Sequence, residues 1–274
     1  MKTISPEVTK VGARRGAVAN LQTPQPTFKS APNQGLSRHK PNHLFQVSTM
    51  SALLDAVDDG DVTIAELLED GNFGIGTFDV LDGEMVIHEG VVYQLRPDGG
   101  AGSVARESMT PFACMTYFKP EWQLVIDDLI DKAGIEALVD ATLGNPNLFA
   151  AIRYTGAFAR IDTRTVFPQS PPYPPMVEVV RHQSTKRFVD ARGAMLGFRT
   201  PAYMQGLNVA GYHLHFLSDD HAKGGHATDY QLSGGRLEIA LISDVTIQLP
   251  RSKQFSEANL APRDMSRAIR FAEG

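Results

Sequence analysis

Gly211-Tyr212-His213-Leu214-His215-Phe216-Leu217-Ser218, followed after a polar stretch by Gly224-Gly225-His226, carries the densest chemistry of the chain. Four of the eight histidines fall between positions 213 and 226. His213 and His215 are two apart, so on a β-strand both rings leave the same face. The Gly224-Gly225 pair permits a tight turn that returns His226 to the same point. Two imidazoles from a strand and a third from a turn make a three-nitrogen metal site with an open position. That is the usual arrangement of catalytic zinc, and iron, cobalt or nickel also accept three nitrogens. His221 lies in the polar stretch Ser218–Lys223 and reads as a loop residue, not a ligand. His39, His43, His88 and His182 read as isolated surface or core histidines. The plain alternative is a β-hairpin with histidines on its exposed face.

Working outward, the second half reads mainly as β-structure. Strand candidates are Leu148–Thr165, Met176–Arg181, Arg187–Arg192, Ala194–Arg199, Ala210–Leu217, Ala227–Leu232 and Leu237–Gln248. Pro168–Pro175 cannot lie inside a sheet. Many strands with regular Gly/Pro breaks suggest a barrel or sandwich, with a boundary near 145–150. In the first half, Ser51–Val57 and Thr63–Gly71 read as helices, the second ended by Gly71. Phe73–Val80, Glu84–Ile87, Val91–Arg96 and Ala113–Phe118 read as strands, with Asp82-Gly83 and Glu89-Gly90 as hairpin turns. Glu121–Ala133 and Gly134–Leu143 read as helices stopped by Gly144-Asn145-Pro146, with Trp122 as a packing anchor. Met85, Tyr93, Phe112 and Met115 read as core.

With 274 residues, 42% hydrophobic and 21% charged, the chain supports a full core. Residues 1–43 hold seven Lys/Arg against the single acid Glu7, which leaves −11 of the net −5 on the remainder. An acidic body argues against nucleic acid as a partner, and no apolar run is long enough to span a membrane. A small-molecule substrate is the expected partner. The single cysteine, Cys114, allows no intrachain disulfide and fits a reducing, cytoplasmic compartment. Residues 1–43 are polar, acid-poor and weakly periodic, and read as a mobile or surface-clamped extension. Organelle targeting by this segment stays open.

The stretch from Gly211 to His226 closely resembles the metal-binding signature of the α-acetolactate decarboxylases. Other blocks agree in order and spacing: Gly76-Thr77-Phe78, Leu81-Asp82-Gly83-Glu84-Met85, Tyr93-Gln94, Thr110-Pro111-Phe112-Ala113, Thr163-Arg164-Thr165-Val166, Pro172-Tyr173, Gly193–Pro201 and the tail Ala268–Glu273. The resemblance spans about residues 44–273. It implies an α/β (α+β), commonly homodimeric protein of two domains, a mixed β-sheet domain over 44–147 and a smaller β-barrel domain over 148–274. It implies metal-dependent decarboxylation of 2-acetolactate to acetoin and CO2. The metal, zinc or another divalent transition metal, falls to His213, His215 and His226. Glu84 and Glu273 complete the site, Arg164 receives the substrate carboxylate, and Thr77 contacts the substrate. On this view the cation stabilises an enediolate that a glutamate then protonates on one face. From the residues alone Arg164 is an ordinary strand-end arginine, and Arg153 and Arg160 compete for its role. The residues after Glu84 depart from the family, which usually continues into a Leu-Asp-Gly turn where this chain has Ile87-His88-Glu89-Gly90. Residues 1–43 have no family counterpart.

Two other functions fit a His-x-His strand. One is a cupin-like metal-dependent oxidoreductase, which usually adds a glutamate a few residues after the second histidine, where this chain has Asp219 and Asp220. The other is a non-catalytic barrel that binds a small ligand.

Overall fold

The computed structural model describes residues 8–11 and 40–273. In chain order the strands and helices are β1 (Val8–Val11), β2 (His43–Val47), α1 (Met50–Leu54), β3 (Val62–Thr63), α2 (Ile64–Leu67), β4 (Phe73–Thr77), β5 (Glu84–His88), β6 (Val91–Leu95), β7 (Ala101–Ser103), β8 (Met109–Thr110), β9 (Ala113–Thr116), β10 (Trp122–Ile126), β11 (Ile130–Asp131), α3 (Lys132–Leu143), β12 (Phe149–Thr165), α4 (Met176–Val179), β13 (Ser184–Thr200), β14 (Gly211–Ser218), β15 (Gly224–Ile242), β16 (Asp244–Gln248), α5 (Lys253–Glu257) and α6 (Met265–Glu273). The protein is a mixed α+β fold, rich in sheet and short in helix. Of the N-terminal extension, only β1 and residues 40–43 fall among the described residues, and β1 runs parallel to β10.

Two large sheets carry the architecture. The first has the order β16-β2-β9-β4-β5-β6-β7 and is antiparallel except for the parallel pair β16–β2. The second has the order β1-β10-β15-β12-β13-β14, and β14 also pairs with β15. That last pairing joins β12, β13, β14 and β15 in a ring. Each half of the chain lends strands to the other's sheet: β10 pairs with β15, and β16 pairs with β2.

The main core lies between the sheets. Phe73, Ile75, Val86 and Leu95 of the first sheet belong to one buried cluster with Ala151, Leu196, Phe198 and Ala240 of the second. Phe198 meets the edges of Phe73 at 5.8 Å and Phe149 at 6.1 Å, contacts worth roughly 0.5–1.5 kcal/mol each beyond their buried area. A second cluster packs α3 against the far side of the second sheet, and a third buries Ile64 and Leu67 of α2 against the first.

Three of the segments that differ from the sequence reading bear on the fold. Glu121–Ala133 is not a helix: Trp122–Ile126 is strand β10, paired antiparallel with Leu237, Ile239 and their neighbours. Its apolar residues Trp122, Leu124 and Ile126 alternate, and their packing against β15 outweighs a spacing that also fits a helix turn. The helix starts only at Lys132, where Asp131 caps it through a 2.9 Å bond from Gly134 N–H, and it ends at Gly144 with φ 66°. Met176–Arg181 is not a strand but α4 followed by a 3₁₀ turn at Val180–His182. Buried Met176, Val179 and Val180 share one helix face, a pattern that a short apolar run does not separate from alternation. The strand expected through Val80 stops at Thr77. Val80 and Leu81 follow with φ of 56° each, a conformation that is costly for a β-branched residue. Val80 N–H donates to the Asp58 carbonyl (2.9 Å), and Gln169 N–H donates to the Val80 carbonyl (2.7 Å), so both sides of the turn are tied down.

Among the described residues, no helix is long and apolar enough to cross a membrane.

Candidate metal centre and active site

His213 and His215 project from one face of β14, as their spacing predicts, and His226 sits directly across the ladder from His215. The Gly224-Gly225 pair works differently from the expected turn. The chain reverses in the loop 219–223, and the glycines open β15. A Cβ on Gly224 would lie 2.5 Å from the Phe216 carbonyl oxygen, and one on Gly225 would lie 2.8 Å from Thr163 Cβ. The glycines are therefore needed for close approach, which lets β15 lie tightly enough to bring His226 beside the other two rings. His221 stays in the loop, outside the triad, with its Nδ1 3.0 Å from the Tyr93 hydroxyl.

The three imidazoles form a compact, buried donor set. Their ligand nitrogens lie within 4.8 Å of one another, and His213 Nε2 is 3.2 Å from His215 Nε2. His215 Nδ1 lies 2.8 Å from the Met85 carbonyl. A carbonyl only accepts, so that nitrogen carries the proton and Nε2 is left free toward the centre. Burial, together with the positive charge of Arg164, pushes His213 down to about 3. Burial first, and the neighbouring imidazoles and Arg164 second, hold His215 and His226 well below the usual histidine range. All three are thus neutral at ordinary pH, the form that binds a metal. An all-nitrogen set of this size and protonation fits a transition-metal ion.

Four further side chains arrive from distant parts of the chain. Thr77 and Glu84 face each other across β4 and β5. Arg164, near the end of β12, pairs in register with His226, and Glu273 comes from the last turn of α6. The Arg164 guanidinium is buried and spans the two acids: Nη1 is 3.8 Å from Glu84 Oε1, and Nη2 is 3.2 Å from Glu273 Oε2. Glu273 Oε2 lies 3.4 Å from His213 Nε2 and 3.7 Å from His226 Nδ1, and Glu84 Oε2 lies 3.7 Å from His215 Nε2. Burial pushes Glu84 up to about 7, with Arg164 opposing and Glu273 reinforcing the shift. Burial also raises Glu273, against the pull of Arg164. The Thr77 hydroxyl donates to the Gly83 carbonyl at 2.7 Å, so only its lone pairs face the pocket. Every expected site residue therefore falls in one place. The competing arginines are engaged elsewhere: Arg153 bonds Glu238 (2.7 Å), and Arg160 pairs with Asp229 (2.6 Å) and Asp162.

The pocket beside these groups has an apolar wall, of which the sequence reading singled out only Phe112, as core. Met50 and Leu53 of α1, Phe112, Val166 and Met176 of α4 line it opposite Thr77, Glu84, Arg164, His213 and Glu273. These residues come from four separate segments and carry no shared spacing, so no sequence signal could have grouped them. The Met85 carbonyl was missed for a similar reason, since backbone acceptors leave no mark on residue type.

The sequence profile described as alpha-acetolactate decarboxylase matches residues 44–262. The chain belongs to this family. An alpha-acetolactate decarboxylase of Klebsiella aerogenes is 46% identical over 237 residues, covering 86% of this chain and 91% of the relative. That of Bacillus subtilis strain 168 is 41% identical over 233 residues, covering 85% and 91%. The crystal structure of alpha-acetolactate decarboxylase from the same Bacillus strain superimposes with a TM-score of 0.83, covering 85% of this chain and 99% of that one. A Staphylococcus aureus protein similar to alpha-acetolactate decarboxylase gives 0.81 at 31% identity, covering 85% and 100%. The family match ends before α6, so the contacts of Glu273 described above are what bring that residue to the site.

Proposed function

We propose that this chain decarboxylates 2-acetolactate to acetoin and CO2 at the pocket bounded by the histidine triad, Arg164, Glu84 and Glu273. The observation that carries this reading is one buried guanidinium held between two buried carboxyls, beside three neutral imidazoles. Zinc is our assignment for the ion, on the strength of the three-nitrogen donor set. A divalent cation held by His213, His215 and His226 would supply positive charge beside the oxygens of the substrate.

The remaining chemistry belongs to side chains. Arg164 presents two parallel N–H donors to the substrate carboxylate and fixes its plane. When the bond from C2 to the carboxylate carbon breaks, CO2 leaves and the electron pair stays on C2, delocalised onto the ketone oxygen. A protonated carboxyl, Glu84 or Glu273, then donates its proton to C2 from a fixed side, which yields one acetoin enantiomer. That carboxyl recovers a proton from solvent, so each turnover consumes one H⁺. Thr77 accepts a hydrogen bond from the substrate hydroxyl through its free lone pairs. The apolar wall excludes water and strengthens each of these contacts.

The reading includes a two-domain division at 44–147 and 148–274, the second domain a barrel. The ring of pairings β12-β13-β14-β15 supports the barrel, while the exchanged strands β10 and β16 tie the two halves together. It also includes a homodimer, which sedimentation tests directly, and a cytoplasmic location, with which the buried free thiol of Cys114 agrees. The cupin-like oxidoreductase is not favoured. Asp219 and Asp220, which stand where that fold expects a glutamate, lie near the loop tip, where Asp220 is spent on Ser218 and Ala222 N–H. The test is incubation with racemic 2-acetolactate while acetoin and CO2 are followed, with His213→Ala alongside. Acetoin no faster than the spontaneous reaction overturns the proposal.

A further inference from the structure

The pocket beside the site is narrow and partly open to solvent: its interior holds about 20 Å³ of water-accessible space, room for about one water molecule. Seating a substrate among these groups calls for a shift in the lining. The polar side offers little give, because Arg164, Glu84 and Glu273 brace one another and Thr77 is tied to Gly83. On the apolar side, Val166 is branched and buried next to β12, and Phe112 is a buried, rigid ring. Leu53 and Met50 sit within α1; Met50 has the same thioether as Met176 but is completely buried, whereas Met176 keeps a 6% exposed edge. Met176 is different. It opens the four-residue helix α4, whose N-cap Pro175 offers no side-chain cap, and its unbranched thioether has three rotatable bonds.

We propose that Met176 is the size gate of this enzyme: its side chain swings to admit the substrate and then packs on the alkyl groups of a 2-hydroxy-2-alkyl-3-oxo acid, which sets how long those groups can be. The proposal rests on the reaction centre assigned above. On that assignment the carboxylate, hydroxyl and ketone of the substrate would be taken by Arg164, Thr77 and a cation held by the triad, so the alkyl substituents are what remain to face the wall that Met176 closes. Shortening this residue opens space for an added methylene, and enlarging it removes space. One methylene in an apolar pocket changes discrimination by about 10- to 200-fold.

The experiment compares kcat/KM for 2-acetolactate with that for two homologues, one with ethyl in place of the 2-methyl group and one with a propionyl in place of the acetyl group. It uses the wild-type protein, Met176→Ala and Met176→Phe. We expect Met176→Ala to raise the homologue-to-acetolactate ratio about tenfold or more for at least one homologue, and Met176→Phe to lower it. Circular dichroism identifies a variant that has not folded, and the other variant then decides the sign. Ratios unchanged in the folded variants, with all substrates still turned over, overturn the gate and leave the reaction centre standing. No turnover of any substrate by the wild-type protein overturns both.

Discussion

Asp58 is a buried carboxyl outside the site, and its replacement tests how far burial governs this fold. The side chain is fully buried, and neither carboxylate oxygen has a hydrogen-bond partner among the described residues. Burial, with the negative charge of Asp59 adding to it, raises its pKa from 3.8 to about 7. Such a carboxyl binds its proton more tightly when folded than when unfolded. Its contribution to stability is therefore most favourable below pH 3.8, declines as the pH climbs toward 7, and is flat above that. A shift of about three units at 1.36 kcal/mol each sets a ceiling of ~4 kcal/mol on the loss, and local relaxation brings the expected value to about 2–4 kcal/mol. Asp58→Asn keeps the shape and the backbone carbonyl that holds Val80 in its left-handed turn, but it cannot ionise. We expect the variant to melt roughly 5–15 °C above the wild type at pH 8, and the two to converge near pH 4. Thermal unfolding followed by circular dichroism across that range is the assay. Parallel curves for the two proteins would refute the argument, because they would mean that Asp58 titrates alike in the folded and unfolded chains.

Two further predictions concern the site and a third the loop at 219–223. Arg164→Lys keeps a positive charge but cannot bridge Glu84 and Glu273 while also forking onto a substrate, so kcat/KM should fall about 100-fold, on the order of 3 kcal/mol. A fall under threefold would remove the fork from the mechanism. Deleting residues 271–274 removes Glu273 and should abolish turnover while the metal bound per chain, read by elemental analysis, stays close to wild type. Full activity in that truncation excludes Glu273. Tyr93→Phe deletes the hydroxyl beside His221 Nδ1, a bond worth about 0.5–1.5 kcal/mol. Amide exchange in the loop 219–223 should accelerate with little change in kcat, and unchanged exchange would show that the loop is held by its other bonds, among them those to Ala101 and Arg192.

Legibility from residue type followed the range of the interactions involved. The His-x-His pair was readable because strand alternation is a local rule, and β14 obeys it. That His226 joins the pair was readable too, although the reason was misjudged: the glycines permit tight packing against Phe216 and Thr163 where a turn had been expected, and packing partners are distant in sequence. β10 and α4 were misassigned for the same cause. Trp122–Ile126 and Met176–Val180 are short apolar runs whose periodicity is ambiguous, and β15 and the short helices around α6 decide between the options. Arg164 and Glu273 could be placed only through family resemblance. Neither carries a local signature, and their meeting depends on β12 and α6 reaching one point from more than a hundred positions apart.

The strand switch at His226 bears on how the molecule assembles. This residue lies where β15 leaves β14 and takes up β12, so it faces His215 on one side and Arg164 on the other. Those partners are 11 and 62 positions away: the first pairing closes as a local hairpin, and the second, across a long separation, closes later and more slowly. The donor set therefore completes only when the hairpin and the long ladder have both zipped, and ion uptake becomes a clock for the last stage of folding. An ion that binds only the finished junction also stabilises it by mass action. Chelation should accordingly loosen residues 224–228 first, well before the β12–β13 ladder that does not depend on the switch.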